Sequence, residues 1–306
     1  MKNRSGLSAS LQKSILLAAG LVRRLLVLSS CRRYDAIWIH REAFPFFTPL
    51  PERFLRQFAR GRLVLDFDDA LYARPLSGRD WRSWGRNPRG FAQAIRYADT
   101  VIAGSPVLVD WAAGHGVNAS FVPTCVDTRV VRPRQRPRRG EVTIGWIGTW
   151  STAQYLPSIS DALARVAATH SVRLLFVGAA NLHSLVASIP GAEIRTWTED
   201  RELHDLSEFD VGIMPVPDTE WNRGKCAYKL IQYMAAGIPF VASPVGMNRD
   251  VAESSHAGLL CAAQDEWVDA LTRLVCNQEL RERLGAAGRA YALRHYDRRL
   301  YASSVM

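Results

Sequence analysis

FDVGIMPVPDTEWNRGKCAYKLIQYMAAGIPFVASPVGMNRDVAE, residues 209–253, reads as strand, loop, helix, strand, loop. FDVGIMPV (209–216) and IPFVAS (238–243) are short apolar runs rich in β-branched residues, the composition of strands buried on both faces. CAYKLIQYMAAG (226–237) has helical spacing and closes on Gly237, a residue suited to a helix C-terminus. The loop PDTEWNRGK places Arg223 and Lys225 just ahead of that helix, and Lys229 follows one turn on. A helix N-terminus carries unpaired N–H groups and partial positive charge. Three cations added there suit the spot to a diphosphate.

The same alternation extends in both directions. Downstream of a break, EVTIGWIG (141–148), VRLLFVGA (172–179) and AEIRTW (192–197) read as strands, and PSISDALARVAATH (157–170) as a helix. Helices around 265–277 and 279–295 finish the chain. Upstream, YDAIWIH (34–40), RLVLDFDDA (62–70), DTVIAGS (99–105) and ASFVPTCVD (119–127) are further strands. Ser105 and Pro106 have the signature of an N-cap and first helical position. Residues 10–30 read as a helix, with Leu11, Ile15, Leu16, Ala19, Val22 and Leu26 at spacings of three and four. The charged, proline-rich RPRQRPRRGE (132–141) has no periodicity and reads as a linker. The expectation is two doubly wound α/β domains, 1–131 and 141–306, joined by residues 132–140. Strand–helix alternation implies parallel sheets that bind ligands at the strands' carboxyl ends.

Composition bounds the function. Of 306 residues, 48% are apolar and 22% charged, an ordinary globular balance. No apolar run reaches the roughly 18 residues of a membrane span. The best one, SILLAAGLVRRLLVL (14–28), is broken by Arg23 and Arg24 and lacks a signal-peptide cleavage site, so a cytoplasmic location is expected. Cys31, Cys125, Cys226, Cys261 and Cys276 form no CxxC pair, which argues for reduced packing residues and against a zinc or disulfide framework. Residues 1–140 hold 24 Lys and Arg against 10 Asp and Glu; residues 141–306 hold 15 against 19. The basic half fits an anionic surface, either nucleic acid or a membrane leaflet. No nucleic-acid motif or aromatic interleaving accompanies its arginines, so nucleic acid is not expected. Arg23, Arg24, Arg32 and Arg33 beside the apolar helix point to peripheral contact with an anionic inner membrane face.

The 209–253 stretch resembles the donor-binding signature of GT-B glycosyltransferases of the retaining family 4 type, the glycosyl transferases group 1. More closely it resembles a bacterial subgroup with RGKxxxKLIQYMAxGIPVVASPVGxNRE. LVLDFDDALY (63–72), VIAGSPVL (101–108), FVPTCVDT (121–128) and IGWIGTWSTAQYL (144–156) agree with that subgroup too, so the likeness runs from about Tyr34 to Tyr296. It implies two facing Rossmann-like domains with the nucleotide-sugar donor in the C-terminal one. The implied activity is transfer of a sugar to a hydroxyl acceptor, with retention, in cell-surface glycan assembly. Glycan or lipid-linked acceptors are the implied partners, and neither cofactor nor metal is expected.

The resemblance also assigns residues. Glu220, Lys225 and Lys229 are the expected catalytic set. Gly148, Thr149, Ser151, Trp197, Arg223, Gln232, Gly246 and Asn248 are expected to bind donor. Asp66, Asp68 and Asp69 are expected on the acceptor side. Many members carry a Glu-x7-Glu pair facing sugar and ribose; its positions fall here at Gly224 and Gln232. The Arg and Lys that many place after the first strand of the donor domain fall at Thr149 and Gln154. The N-terminal domain reads as incomplete, opening on a helix where a strand and glycine turn are usual. The alternative function is therefore a truncated, inactive relative that binds nucleotide or a partner protein.

Overall fold

The computed structural model describes residues 15–16, 19–20, 22–44, 49–73, 88–134, 140–180, 182–183, 186, 189 and 191–302. The start of the expected first helix, with Leu11, and the middle of the expected linker lie outside them. The chain divides into two compact units, Met1–Val122 and Pro123–Met306.

The first unit is built on a parallel sheet of four strands in the order β1 (Ala36–His40), β2 (Arg62–Phe67), β3 (Thr100–Ala103) and β4 (Ala119–Phe121). Leu63, Leu65 and Phe67 on β2 and Val101 and Ala103 on β3 are buried, as central parallel strands require. Helix Pro106–Gly114 starts as its sequence predicts: the Ser105 side chain accepts from the Leu108 N–H. Trp111 on that helix stacks on Tyr72 at 4.1 Å and meets Phe67 edge-on. The described part of the N-terminal segment is helical over 22–29.

The second unit carries β5 (Val142–Ile147), β6 (Val172–Val177), β7 (Ala192–Arg195), β8 (Val211–Met214), β9 (Phe240–Ala242) and β10 (Gly258–Leu260), all parallel. Their order is β10-β9-β8-β5-β6-β7. The chain thus winds outward from β5 to one edge, returns, and winds outward from β8 to the other. That makes β5/β8 the topological switch point, where the crossovers leave in opposite directions and a crevice opens. Leu163 and Val166 of helix Ser160–Thr169 share one core with Trp267, Leu271 and Leu274 of helix Gln264–Cys276.

Residues 123–131, allotted above to the first domain, cluster with the second unit. Val126 N–H donates to Tyr296 O, and Arg298 N–H to Val126 O, tying this segment to the chain's last turn. Arg289 donates to the carbonyls of Thr128, Val131 and Ala235. The bonds from Arg289 to Val131 and Thr128 span 158 and 161 residues in sequence, which no local pattern signals. Among the described residues no helix is long and apolar enough to cross a membrane.

Candidate functional site

The carboxyl ends of β5 and β6 are bare backbone. A Cβ at Gly148 would lie 2.7 Å from Lys229 Cε and 2.7 Å from the Trp146 ring. A Cβ at Gly178 would fall on the Gly148 carbonyl oxygen, and Gly178 sits at φ +85°, a region glycine enters freely. The two glycines let the ends of adjacent strands and the Lys229 stem pack without side chains between them. Lys229 comes from helix Tyr228–Ala235; its Nζ lies 5.5 Å over the Trp146 ring and 3.4 Å from Thr152 Oγ1. Thr149 caps the short helix Trp150–Ala153 in extended conformation, and its Oγ1 is 2.8 Å from Ser151 Oγ; both residues are exposed. An ammonium, two hydroxyls and a helix start therefore gather at the switch-point strand.

The loop after β8 is more structured than its sequence suggested. Thr219 accepts from Asn222 N–H and opens a one-turn helix, Glu220–Arg223. Buried Asn222 donates to Pro217 O and braces the loop from inside. Ala227 follows at φ +51°, a conformation that costs a residue bearing a Cβ about 1 kcal/mol or more and that gathers at functional sites. It turns the chain sharply into helix Tyr228–Ala235. Gly246, at φ +52°, caps helix Met247–Ser255 so close to the Arg223 carbonyl that a Cβ there would collide with it. Asn248 behind it is buried and donates to Ser243 O.

The three cations expected around one diphosphate have separate engagements. Lys229 lies over the end of β5. Lys225 Nζ sits 5.1 Å over the Trp221 ring. Arg223 forks onto Asp218 at 2.6 and 3.0 Å, a bond that holds the Asp218 carboxyl below its usual value. Both partners are exposed, so this pair is weak and readily exchanged. Glu220 is exposed in the first turn of its helix.

A second group lies beside Lys229. Gln232, one helical turn on, donates from Nε2 to Glu202 Oε1 at 2.7 Å. Trp197, past the end of β7 and 44% exposed, donates its indole N–H to Glu202 Oε2 at 2.8 Å. Burial, with the Glu202 charge adding, lifts the Tyr228 phenol above its ordinary value. The helix bearing Glu202, Glu202–Ser207, is fastened by Arg195, which bonds Asp205 at 2.7 Å, Glu208 at 2.6 Å and Glu193 at 2.9 Å. Burial alone would raise the Glu208 carboxyl; hydrogen bonds from Arg195 and Arg173 outweigh it and hold it at about 2. His204, Asp205 and Glu208 lie close enough to surround a cation, but Arg195 already engages both carboxylates. Glu202 was missed in the sequence. Its signal was the acidic run TEDRE directly after Trp197.

In the first unit the three aspartates end β2 and meet the residues ending β1. His40 Nδ1 is 3.1 Å from Asp66 Oδ2. Arg41, at φ +67°, forks onto Asp68 and also reaches Asp69 at 3.0 Å. The parallel register that sets His40 against Asp66 brings this pair together.

Residues 141–277 match the sequence profile of the family Glycosyl transferases group 1. Over 235 residues the chain is 27% identical to a D-inositol 3-phosphate glycosyltransferase of Stackebrandtia nassauensis; the match takes in 67% of this chain and 52% of that one. The chain thus spans about half the length of this curated relative. Solved structures of similar fold include the following two. Sucrose-phosphate synthase of Thermosynechococcus elongatus aligns at TM-score 0.70 and 15% identity, over 93% of this chain and 75% of that one. Anabaena HepE in complex with UDP-glucose aligns at TM-score 0.72 and 15% identity, over 92% and 81%. At such identities these two likenesses speak to the fold, which is the GT-B type of parallel α/β architecture.

Proposed function

We propose that this chain, whose residues 141–277 match the glycosyl transferases group 1, holds a nucleoside-diphosphate sugar at the β5/β8 switch point and passes its sugar to a hydroxyl acceptor. The observation that carries the reading is Lys229 lying over a strand end kept bare by Gly148 and Gly178. When the bond from sugar to diphosphate breaks, negative charge gathers on the leaving diphosphate. An ammonium and backbone N–H groups already fixed there favour that state without reorganising. The Arg223 guanidinium can join by leaving Asp218, since exposed pairs contribute at most about 1 kcal/mol. Lys225 and Glu220, on the same loop, would face the donor when it is bound. The chemistry needs no metal, because the charge is met by side chains and a helix terminus.

The acceptor end of the reading is a glycan or lipid-linked hydroxyl met by the Asp66, Asp68 and Asp69 carboxylates, with retained configuration and a role in cell-surface glycan assembly. The helical turns over 22–29 support contact with an anionic membrane face: Val22, Leu25, Leu26 and Val27 are exposed there among Arg23 and Arg24.

The test is the melting temperature with UDP, GDP or ADP in metal-free buffer. A ligand bound only to the folded state at a hundredfold excess over its Kd adds about 2.7 kcal/mol. One of the three should raise Tm by several degrees. No shift with any of them at millimolar concentration removes the donor-site reading.

A further inference from the structure

We propose that Glu202 holds the ribose diol of the nucleotide and makes the site selective for ribonucleotides over 2′-deoxyribonucleotides. The inference rests on the donor-site reading above and adds to it a residue and a selectivity.

The argument begins with unused valence. An ionised carboxylate offers about four acceptor positions. At Glu202 one oxygen receives the Gln232 amide and the other the Trp197 indole, one donor each. The residue is half-buried, so part of it stays open to solvent. A vicinal diol presents two O–H donors side by side, the complement of such a group. The Trp197 indole can only donate, and the Gln232 amide turns its NH2 to Glu202, keeping a neutral carbonyl oxygen as its own acceptor. Glu202 is thus the carboxylate acceptor at this point of the crevice.

Its position along the crevice agrees. Lys229 and Gln232 stand three residues apart on one helix, neighbours on one face at roughly 5–6 Å between Cβ atoms. A nucleotide runs diphosphate, ribose, base. With the diphosphate at Lys229, the next group meets the Gln232–Glu202 pair. The group beyond it meets Trp197, whose indole is fixed by its bond to Glu202 while 44% of the residue stays exposed for stacking. The carboxylate is also held rigid. Arg195 pins the same helix through Asp205, which is fully buried. A carboxylate pre-placed in this way loses little freedom when it takes up the diol.

The alternative is that Glu202 only orients Gln232 and Trp197. Titration calorimetry with two ligand pairs, UDP against 2′-deoxy-UDP and GDP against 2′-deoxy-GDP, separates the two. The intact protein should prefer the ribonucleotide of the pair it binds by about tenfold or more, the worth of a hydrogen bond to a charged group. Glu202→Gln should erase most of that preference by weakening the ribonucleotide far more than the deoxy compound, which has only its 3′-hydroxyl to lose. Equal affinity of the intact protein for both members of a pair overturns the inference and leaves the donor site standing. So does an equal loss of both ligands in Glu202→Gln, which is the mark of an orienting role. Binding of no member of either pair at millimolar concentration, with no rise of Tm in ADP either, overturns the donor-site reading itself. The preference of the intact protein is measured without any variant, so a folding failure of Glu202→Gln does not spoil the test.

Discussion

Lys229→Ala is expected to weaken UDP or GDP binding by tenfold or more while leaving the affinity for the bare nucleoside almost unchanged. The Lys229 ammonium lies against Trp146 and Thr152 at the end of β5, with its stem against Gly148. Removing it takes one charge-assisted hydrogen bond from the diphosphate, worth about 1.5–3 kcal/mol. Thr152 and the ring keep other surroundings, so the fold should tolerate the change. Lys229→Met, which retains the stem, should lose diphosphate affinity to the same extent. Calorimetric titration of both variants with nucleoside and nucleoside diphosphate reads the effect. Equal losses for nucleoside and diphosphate would signal damaged folding and would withdraw Lys229 from the diphosphate site.

Arg195→Ala should have the largest effect on stability, about 3–5 kcal/mol, because it strands charges that are already out of water. Asp205 is fully buried, with Arg195 at 2.7 Å as its near cation. Its other oxygen has no hydrogen-bond partner among the described residues. The guanidinium also bonds Glu208 and Glu193. The pH dependence follows from Glu208. Its folded value, about 2, lies below the roughly 4.3 of a free glutamate. The unfolded chain therefore takes up protons first as pH falls. The stabilisation is complete above about pH 5 and is lost progressively from there down toward pH 2. Urea unfolding midpoints at pH 7, 5, 4 and 3 should fall across that window in the intact protein and fall less in Arg195→Ala. Loss of the helix carrying Glu202 should also lower nucleotide affinity in that variant.

The parts legible in sequence are those set by local pattern. β5, β6 and β8 announce themselves as apolar runs, because strands covered on both faces have no polar alternation. The Ser105–Pro106 helix start is a local signal that the structure repeats. The doubly wound α/β class followed from strand–helix alternation on either side of the break near 132–140, whereas the strand order around β5 and β8 is known from the structure alone. What the sequence hid depends on pairings across long intervals. Glu202 and Gln232 are thirty residues apart, as the bond between them records. His40 meets Asp66 only through the parallel register of β1 and β2. The segment 123–131 joins the second unit because Val126 bridges to Asp297, a partner at the far end of the chain. Ala227 has no compositional mark of its left-handed turn, since alanine is intrinsically a strong helix former. The turn of helix at Glu220–Arg223 did carry a signal, Thr219 three residues before Asn222, masked by the Pro and Gly around it.

The central claim is that a nucleoside diphosphate binds at the end of β5 under Lys229. A crystal structure of the chain grown with UDP, or with whichever nucleoside diphosphate raises Tm most, tests it most directly. The account predicts diphosphate oxygens about 2.7–2.9 Å from Lys229 Nζ, next to the Gly148–Thr149 backbone. A nucleotide whose diphosphate lies out of reach of Lys229, or crystals that take up none at millimolar concentration, would contradict it.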